Sequence, residues 1–109
     1  MRVERWDAER DGPLSEKALW QKLEERGYRV TRYVYAPGTS FPEHTHAIDK
    51  IDAVVSGRFR MTMEGEAAVL EVGDCLAVPR GAVHSAEVLG DESVVSLDAI
   101  KEEASRSRR

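Results

Sequence analysis

The chain has 109 residues, of which 41% are hydrophobic and 33% charged, and its formal net charge is −4. This length suits a single domain over residues 1–109, and because basic and acidic residues are interleaved along it, we expect no nucleic-acid partner. No apolar stretch approaches the roughly 18 residues of a membrane span, the N-terminus is charged, and Cys75 is the single cysteine. We therefore expect a cytoplasmic protein without a membrane partner or an internal disulfide.

The first predicted element is an α-helix over about residues 15–26. Ser15 is a residue type that caps helix N-termini, and Leu19 and Leu23 fall at helical spacing. Gly27 stands where a helix favours a left-handed residue at its C-terminal end. We expect this one N-terminal helix to cover a face of the remaining structure, with Trp20 as an anchor in that contact.

Strands are predicted from Tyr28 onward, because the apolar period changes there from about 3.6 to about 2. The predicted strands cover residues 28–36, 51–55, 58–63, 75–78, 84–89 and 93–99, and Ala68, Leu70 and Val72 return on the inner face after a hairpin turn at Glu64 and Gly65. Short strands separated by Gly and Pro turns predict an antiparallel barrel or sandwich over about residues 28–99. A polar tail is expected over residues 100–109.

The three histidines of the chain are placed so that they can act together. His44 and His46 are two apart in a segment expected to be extended, so their imidazoles project from one face with Cβ atoms about 7 Å apart. His84 follows a turn formed by Pro79 and Gly81, and it reaches the other two if its strand lies beside theirs. A single histidine is more commonly a surface or hydrogen-bonded residue, but the joint placement of all three predicts one divalent metal site.

Two spaced motifs surround these histidines. The first contains Gly38, His44, His46, Lys50 and Gly57, and the second contains Gly73, Pro79, Gly81, His84 and Val88. The spacing of both motifs resembles that of the cupin superfamily, and the resemblance covers about two thirds of the chain. It implies an all-β fold, a cupin double-stranded β-helix or jelly-roll barrel that is commonly a homodimer. In that family the metal ion lies inside the barrel on three histidines and one glutamate.

The first motif departs from the family pattern at Lys50, where the glutamate ligand is expected, and the second departs at Val88, where asparagine is expected. A protonated lysine has no lone pair and repels a dication. Three neutral imidazoles would then leave the ion its full charge and leave coordination positions open. Some cupins that resemble thiol or diketone oxygenases use such an all-histidine set, which accepts iron, zinc, nickel, manganese or copper.

Lys50 and Asp52 are the candidate catalytic residues, since strand alternation directs both side chains to the same side, beside the metal site. Asp49 is a second candidate partner for Lys50. The pair could only satisfy buried charge, or Lys50 could hold an anionic substrate group while Asp52 acts as acid, base or partner of a histidine. In a third interpretation, Lys50 takes the place of the metal ion altogether.

Three functions follow from these residues. The first is a metal-dependent enzyme that carries out an oxygenase- or isomerase-type reaction on a small organic substrate. The second is a non-catalytic cupin that binds or senses a small molecule or a metal ion, which the departures at Lys50 and Val88 favour. The third is a structural barrel with vestigial histidines. The fold does not choose among them.

Overall fold

The computed structural model describes residues 1–101, so residues 102–109 of the expected polar tail lie outside the described residues. The helices and strands are β1 (Val3–Glu4), α1 (Ala8–Asp11), α2 (Glu16–Glu25), β2 (Tyr28–Tyr35), β3 (Ser40–His44), β4 (Lys50–Ser56), β5 (Arg58–Met63), β6 (Glu66–Leu70), β7 (Cys75–Val78), β8 (His84–Leu89) and β9 (Val94–Lys101). Ile100 and Lys101, which the sequence assigned to the tail, instead complete β9 and pair with Arg29 and Tyr28 of β2.

The strands form two antiparallel sheets that enclose the barrel. One sheet has the strand order β1-β7-β4-β9-β2, and the other has the order β3-β8-β5-β6. This arrangement confirms the predicted all-β jelly-roll barrel. The predicted hairpin between β5 and β6 is also confirmed: Glu64 and Gly65 have φ angles of 50° and 84°, and positive φ at both central residues gives a turn that follows the twist of the strands.

The main helix, α2, begins and ends where the sequence predicted, within a residue. The Ser15 hydroxyl accepts a hydrogen bond from the backbone N–H of Ala18 at 3.0 Å, and Gly27 after the helix has a φ of 93°. A second helix, the four-residue α1, precedes it and is capped by the Asp7 carboxylate. The expectation of one N-terminal helix missed α1, because four residues with no buried side chain carry no apolar period.

Apolar side chains pack on both faces of the five-stranded sheet. One cluster fills the barrel interior, and the other lies between the sheet and α2, where Leu19 and Leu23 are buried and Trp20 is partly buried. Strand β4 contributes to both clusters. Ile51 and Ala53 pack on the side of α2, and Val54 packs in the barrel interior. Residues of even number on β4 therefore point into the barrel.

The prediction that Val72 lies on the inner face of the sheet is wrong. Val72 is 54% exposed, because β6 ends at Leu70 and the strand alternation ends with it. No helix among residues 1–101 is long and apolar enough to cross a membrane.

Candidate metal centre and its pocket

The three histidines meet at one end of the barrel, as the sequence predicted. His44 ends β3 and His84 begins β8, and the two are directly paired across these strands. His46 follows in the loop after β3. The imidazole centroids are 4.2 Å apart for His44 and His84, 4.8 Å for His44 and His46, and 5.0 Å for His46 and His84. One ring nitrogen of each histidine lies within 4.8 Å of those of the other two.

The loop after β3, which carries His46, is joined to the turn before β8 by a backbone hydrogen bond. The N–H of Gly81 donates to the carbonyl of His46 at 2.8 Å. Gly81 has a φ of 80°, a conformation that glycine adopts without the penalty of a side chain. The turn before β8 therefore fixes the loop after β3, and with it the position of His46 relative to His84.

Backbone carbonyls fix the orientation of two of the rings. His44 Nδ1 lies 2.6 Å from the carbonyl oxygen of Pro42, and His84 Nδ1 lies 2.9 Å from that of Ala82. Because a carbonyl can only accept, Nδ1 of each ring donates, and Nε2 is the nitrogen that is left to ligate an ion. A metal-ligating histidine is commonly oriented by such a bond from its other nitrogen.

The third ring supplies an unsatisfied buried atom. His46 Nε2 is shielded from solvent and has no hydrogen-bond partner among residues 1–101. A buried polar atom without a partner is costly unless something occupies the space beside it. Together with the two oriented rings, this nitrogen makes a donor set that fits a divalent ion such as zinc or iron.

The electrostatic environment favours the neutral form of two of the three rings, His46 and His84. Burial lowers the pKa of His46, and the positive charge of Lys50 lowers it further. Burial also lowers the pKa of His84, and Lys50 again contributes. Neutral imidazole is the form that binds metal, so these two rings are in their ligand form at neutral pH.

Lys50 is held by two carboxylates rather than one. Its Nζ lies 3.3 Å from Asp52 Oδ1 and 2.7 Å from Asp98 Oδ1. Asp52 and Asp98 are themselves direct partners across β4 and β9. The expected Lys50–Asp52 pair is therefore present, with a third member that the sequence did not indicate. Asp49, the other expected partner, instead accepts a hydrogen bond from the backbone N–H of Arg80 at 2.8 Å.

Burial and charge oppose each other in this triad. Burial disfavours the ammonium of Lys50, but Asp52 and Asp98 outweigh that effect and raise the pKa of Lys50 above its usual value. Asp52 is 6% exposed, and its burial raises the pKa of this carboxyl despite the opposing charge of Lys50. The carboxyl of Asp52 therefore holds a proton more readily than an exposed aspartate does.

A pocket of about 170 Å³ joins the histidines to this triad. Its apolar wall is formed by Tyr35, Phe41, Phe59, Met61 and Ala86. Tyr35 packs on Phe59 with ring centroids 5.6 Å apart and on Phe41 at 5.0 Å. Burial, with the charge of Asp98 next, raises the pKa of Tyr35 to about 12. Its hydroxyl therefore stays protonated beside the pocket at neutral pH.

Known proteins resemble this chain in sequence over the part that forms the barrel. The family profile described as Cupin domain matches residues 31–100. An uncharacterized protein of Streptomyces coelicolor is 34% identical over 83 residues, which make up 76% of this chain and 77% of that protein.

Solved structures have the same fold. A cupin-like protein of Thermotoga maritima is 26% identical, with a TM-score of 0.62 over 69% of this chain and 57% of the other. A chain from crystal structures of DMSP lyases is also 26% identical, with a TM-score of 0.63 over 74% of this chain and 42% of the other. KdgF from Halomonas sp. is 23% identical, with a TM-score of 0.57 over 73% of this chain and 92% of the other. At that identity KdgF indicates the fold alone.

Proposed function

The chain belongs to the cupin family, and on that basis we propose that His44, His46 and His84 bind one divalent metal ion beside a pocket in which a small organic molecule reacts. The observation that carries this proposal is the convergence of three imidazoles, two of which are oriented through Nδ1 by backbone carbonyls. When bound, such an ion polarises a substrate oxygen as a Lewis acid.

The size and lining of the pocket limit the substrate. An apolar cavity of about 150 Å³ holds one benzene ring, and this pocket measures about 170 Å³. A molecule of one ring or a short chain fits, with its apolar part against Phe41, Phe59 and Met61 and an oxygen donor toward the histidines. The aromatic wall also excludes water from the reacting part of such a molecule.

We favour an isomerase-type reaction over an oxygenase-type reaction because of Asp52. Such a reaction needs a group that takes a proton from one carbon and returns it to another, and a buried carboxyl with a raised pKa suits that task at neutral pH. Lys50 stabilises the ionised form of Asp52 before the first transfer and after the second, while the carboxyl carries the proton between them. Lys50 is not proposed as an anion-binding group, because two carboxylates already lie against its ammonium.

A non-catalytic binding or sensing cupin is the second candidate. It is favoured by the same triad, since the ammonium of Lys50 is held by two carboxylates of the protein and is not free to bind an anionic substrate. A homodimer and a cytoplasmic location remain predictions.

Metal content is the first test. We expect tag-free protein expressed with added zinc or iron to hold one ion per chain, and the double variant His44→Ala/His84→Ala to hold none. Glu43→Gln removes an exposed carboxylate next to His44 and is the matched control, which keeps its ion. Wild-type protein without stoichiometric metal would contradict the proposal.

Hydrogen exchange separates the two candidates. Metal-loaded protein is incubated in D₂O with a panel of small hydroxy and keto acids, and deuterium at carbon is followed by NMR. An isomerase-type enzyme incorporates deuterium into one of them, and Asp52→Asn abolishes the incorporation. Line broadening of a panel member without incorporation supports the binding module instead.

A further inference from the structure

The position of Lys50 raises a problem for metal binding. The residue stands where the family pattern has an anionic ligand, and its side chain lines the same pocket as the histidines. Asp52 and Asp98 line that pocket too, so the ammonium, its two carboxylates and the three imidazoles face the same space. An ammonium in the same pocket repels a dication, and the lysine side chain is long and flexible enough to move closer to the histidines.

Two strands restrain this ammonium. Asp52, on the same strand as Lys50, holds it at 3.3 Å, and Asp98, on the neighbouring strand β9, holds it at 2.7 Å. The side chain of Lys50 is 11% exposed and that of Asp98 is 22% exposed. The shorter contact comes from β9. In the sheet β4 lies between β7 and β9, so Asp98 holds the ammonium on the side of β4 that faces away from β7.

We propose that Asp98 is a positioning residue, which holds the Lys50 ammonium against the β4–β9 wall and so keeps the space beside the three histidines open for the ion. This inference rests on the proposed function, because it concerns the affinity of the same metal site. Asp98 acts through Lys50 and does not itself contact the ion. The open coordination position that a metal-dependent reaction needs is thus maintained by an ion pair.

Asp98 could affect ion binding in two ways: as a negative charge near the site, or as a restraint on Lys50. If Asp98 only added a negative charge near the site, its removal would weaken ion binding equally whether or not Lys50 were present. If Asp98 acts by restraining Lys50, its removal matters only while Lys50 is there to be released. The two cases are distinguished by whether the effects of the two substitutions add.

A double-mutant cycle tests this. Zn²⁺ affinity is measured by chelator competition for wild type, Asp98→Asn, Lys50→Met and the double variant, with folding checked by circular dichroism. We expect Asp98→Asn to lower the affinity about 10- to 100-fold, the range seen when a residue that supports a metal site is lost. In the Lys50→Met background, the same substitution should change the affinity by less than about threefold. Glu87→Gln, on the outer face of β8, is the control and leaves the affinity unchanged.

The outcomes are separable. Equal losses in both backgrounds overturn the positioning role, while wild-type protein that binds no Zn²⁺ overturns the proposed function itself. Should Asp98→Asn fail to fold, Asp98→Glu takes its place in the same cycle, since it keeps the charge but moves the carboxylate that holds Lys50; Lys50→Met alone tests only whether the ammonium repels the ion, and it should then raise the affinity. A tenfold weaker affinity in Lys50→Met would contradict the inference.

Discussion

His44 and His84 are directly paired across β3 and β8, so two of the three candidate ligands are set by strand pairing. A directly opposed antiparallel pair has Cβ atoms about 5 Å apart, which brings two imidazoles together without any long side chain. His46 completes the cluster from the loop that Gly81 fixes. The cluster thus depends on the fold as a whole rather than on one flexible segment.

Loss of His84 should remove the stabilisation that metal provides. We expect saturating Zn²⁺ to raise the melting temperature of wild type by about 10 °C or more, because ligand at 100 times its Kd adds about 2.7 kcal/mol. His84→Ala should show no such rise. The measurement is a thermal scan with and without Zn²⁺, and Glu43→Gln serves as the control that retains the full shift. A variant that still responds like wild type would exclude His84 as a ligand.

Asp52 should make the stability of the metal-free protein depend on pH. A carboxyl whose pKa is raised by folding binds a proton in the folded chain at pH values where the unfolded chain has released it. Through this group the free energy of unfolding is highest below the ordinary carboxyl pKa of about 4, and it falls as the pH rises through the folded-state pKa. The stability of Asp52→Asn relative to wild type should therefore increase between pH 4 and pH 7.

Urea unfolding in the presence of a chelator measures this difference. Asp91→Asn, an exposed change in the turn before β9, is the matched control with which the pH dependence of Asp52→Asn is compared. A constant difference for Asp52→Asn would mean that Asp52 is not buried as a proton-binding group.

Gly57 should tolerate no side chain. Its φ is 82°, and a Cβ there would lie 2.5 Å from the carbonyl oxygen of Ser93. Both the backbone conformation and the contact are unfavourable, so Gly57→Ala should cost at least about 3 kcal/mol. Gly65→Ala is the matched control, since Gly65 has a φ of 84° with open space around it and should lose only about 1–2 kcal/mol. Equal losses in denaturant unfolding would show that the contact with Ser93 is relieved by movement.

The cap of α2 should affect stability without affecting metal binding. Ser15→Ala removes the hydroxyl that accepts the N–H of Ala18 and should cost about 1 kcal/mol. Ser15→Asp keeps an acceptor and should restore the stability. Zn²⁺ affinity should be unchanged in both variants, because α2 packs on the outer face of the five-stranded sheet. A weaker affinity would reveal coupling between the helix and the cluster.

The sequence predicted those parts of the fold that follow from local pattern. Alternation predicted β5, a capping serine and leucine spacing predicted α2, and motif spacing predicted that the three histidines meet. Asp52 was found because it lies two residues from Lys50 on one strand. Asp98 was missed because it reaches Lys50 only through the pairing of β4 with β9, and these two strands are far apart in the sequence. Val72 was misplaced since alternation does not indicate where a strand ends.

The hydrogen bond from Gly81 to the carbonyl of His46 bears on how the proposed metal site would take up an ion. Small zinc-finger domains stay unfolded until metal arrives, since the ion itself joins their loops. Here the main chain already joins the loop of His46 to the turn before β8, so we expect the chain to fold before an ion binds and the ion only to add stability. A cell short of the ion would accumulate folded, metal-free protein that becomes loaded as soon as the ion returns.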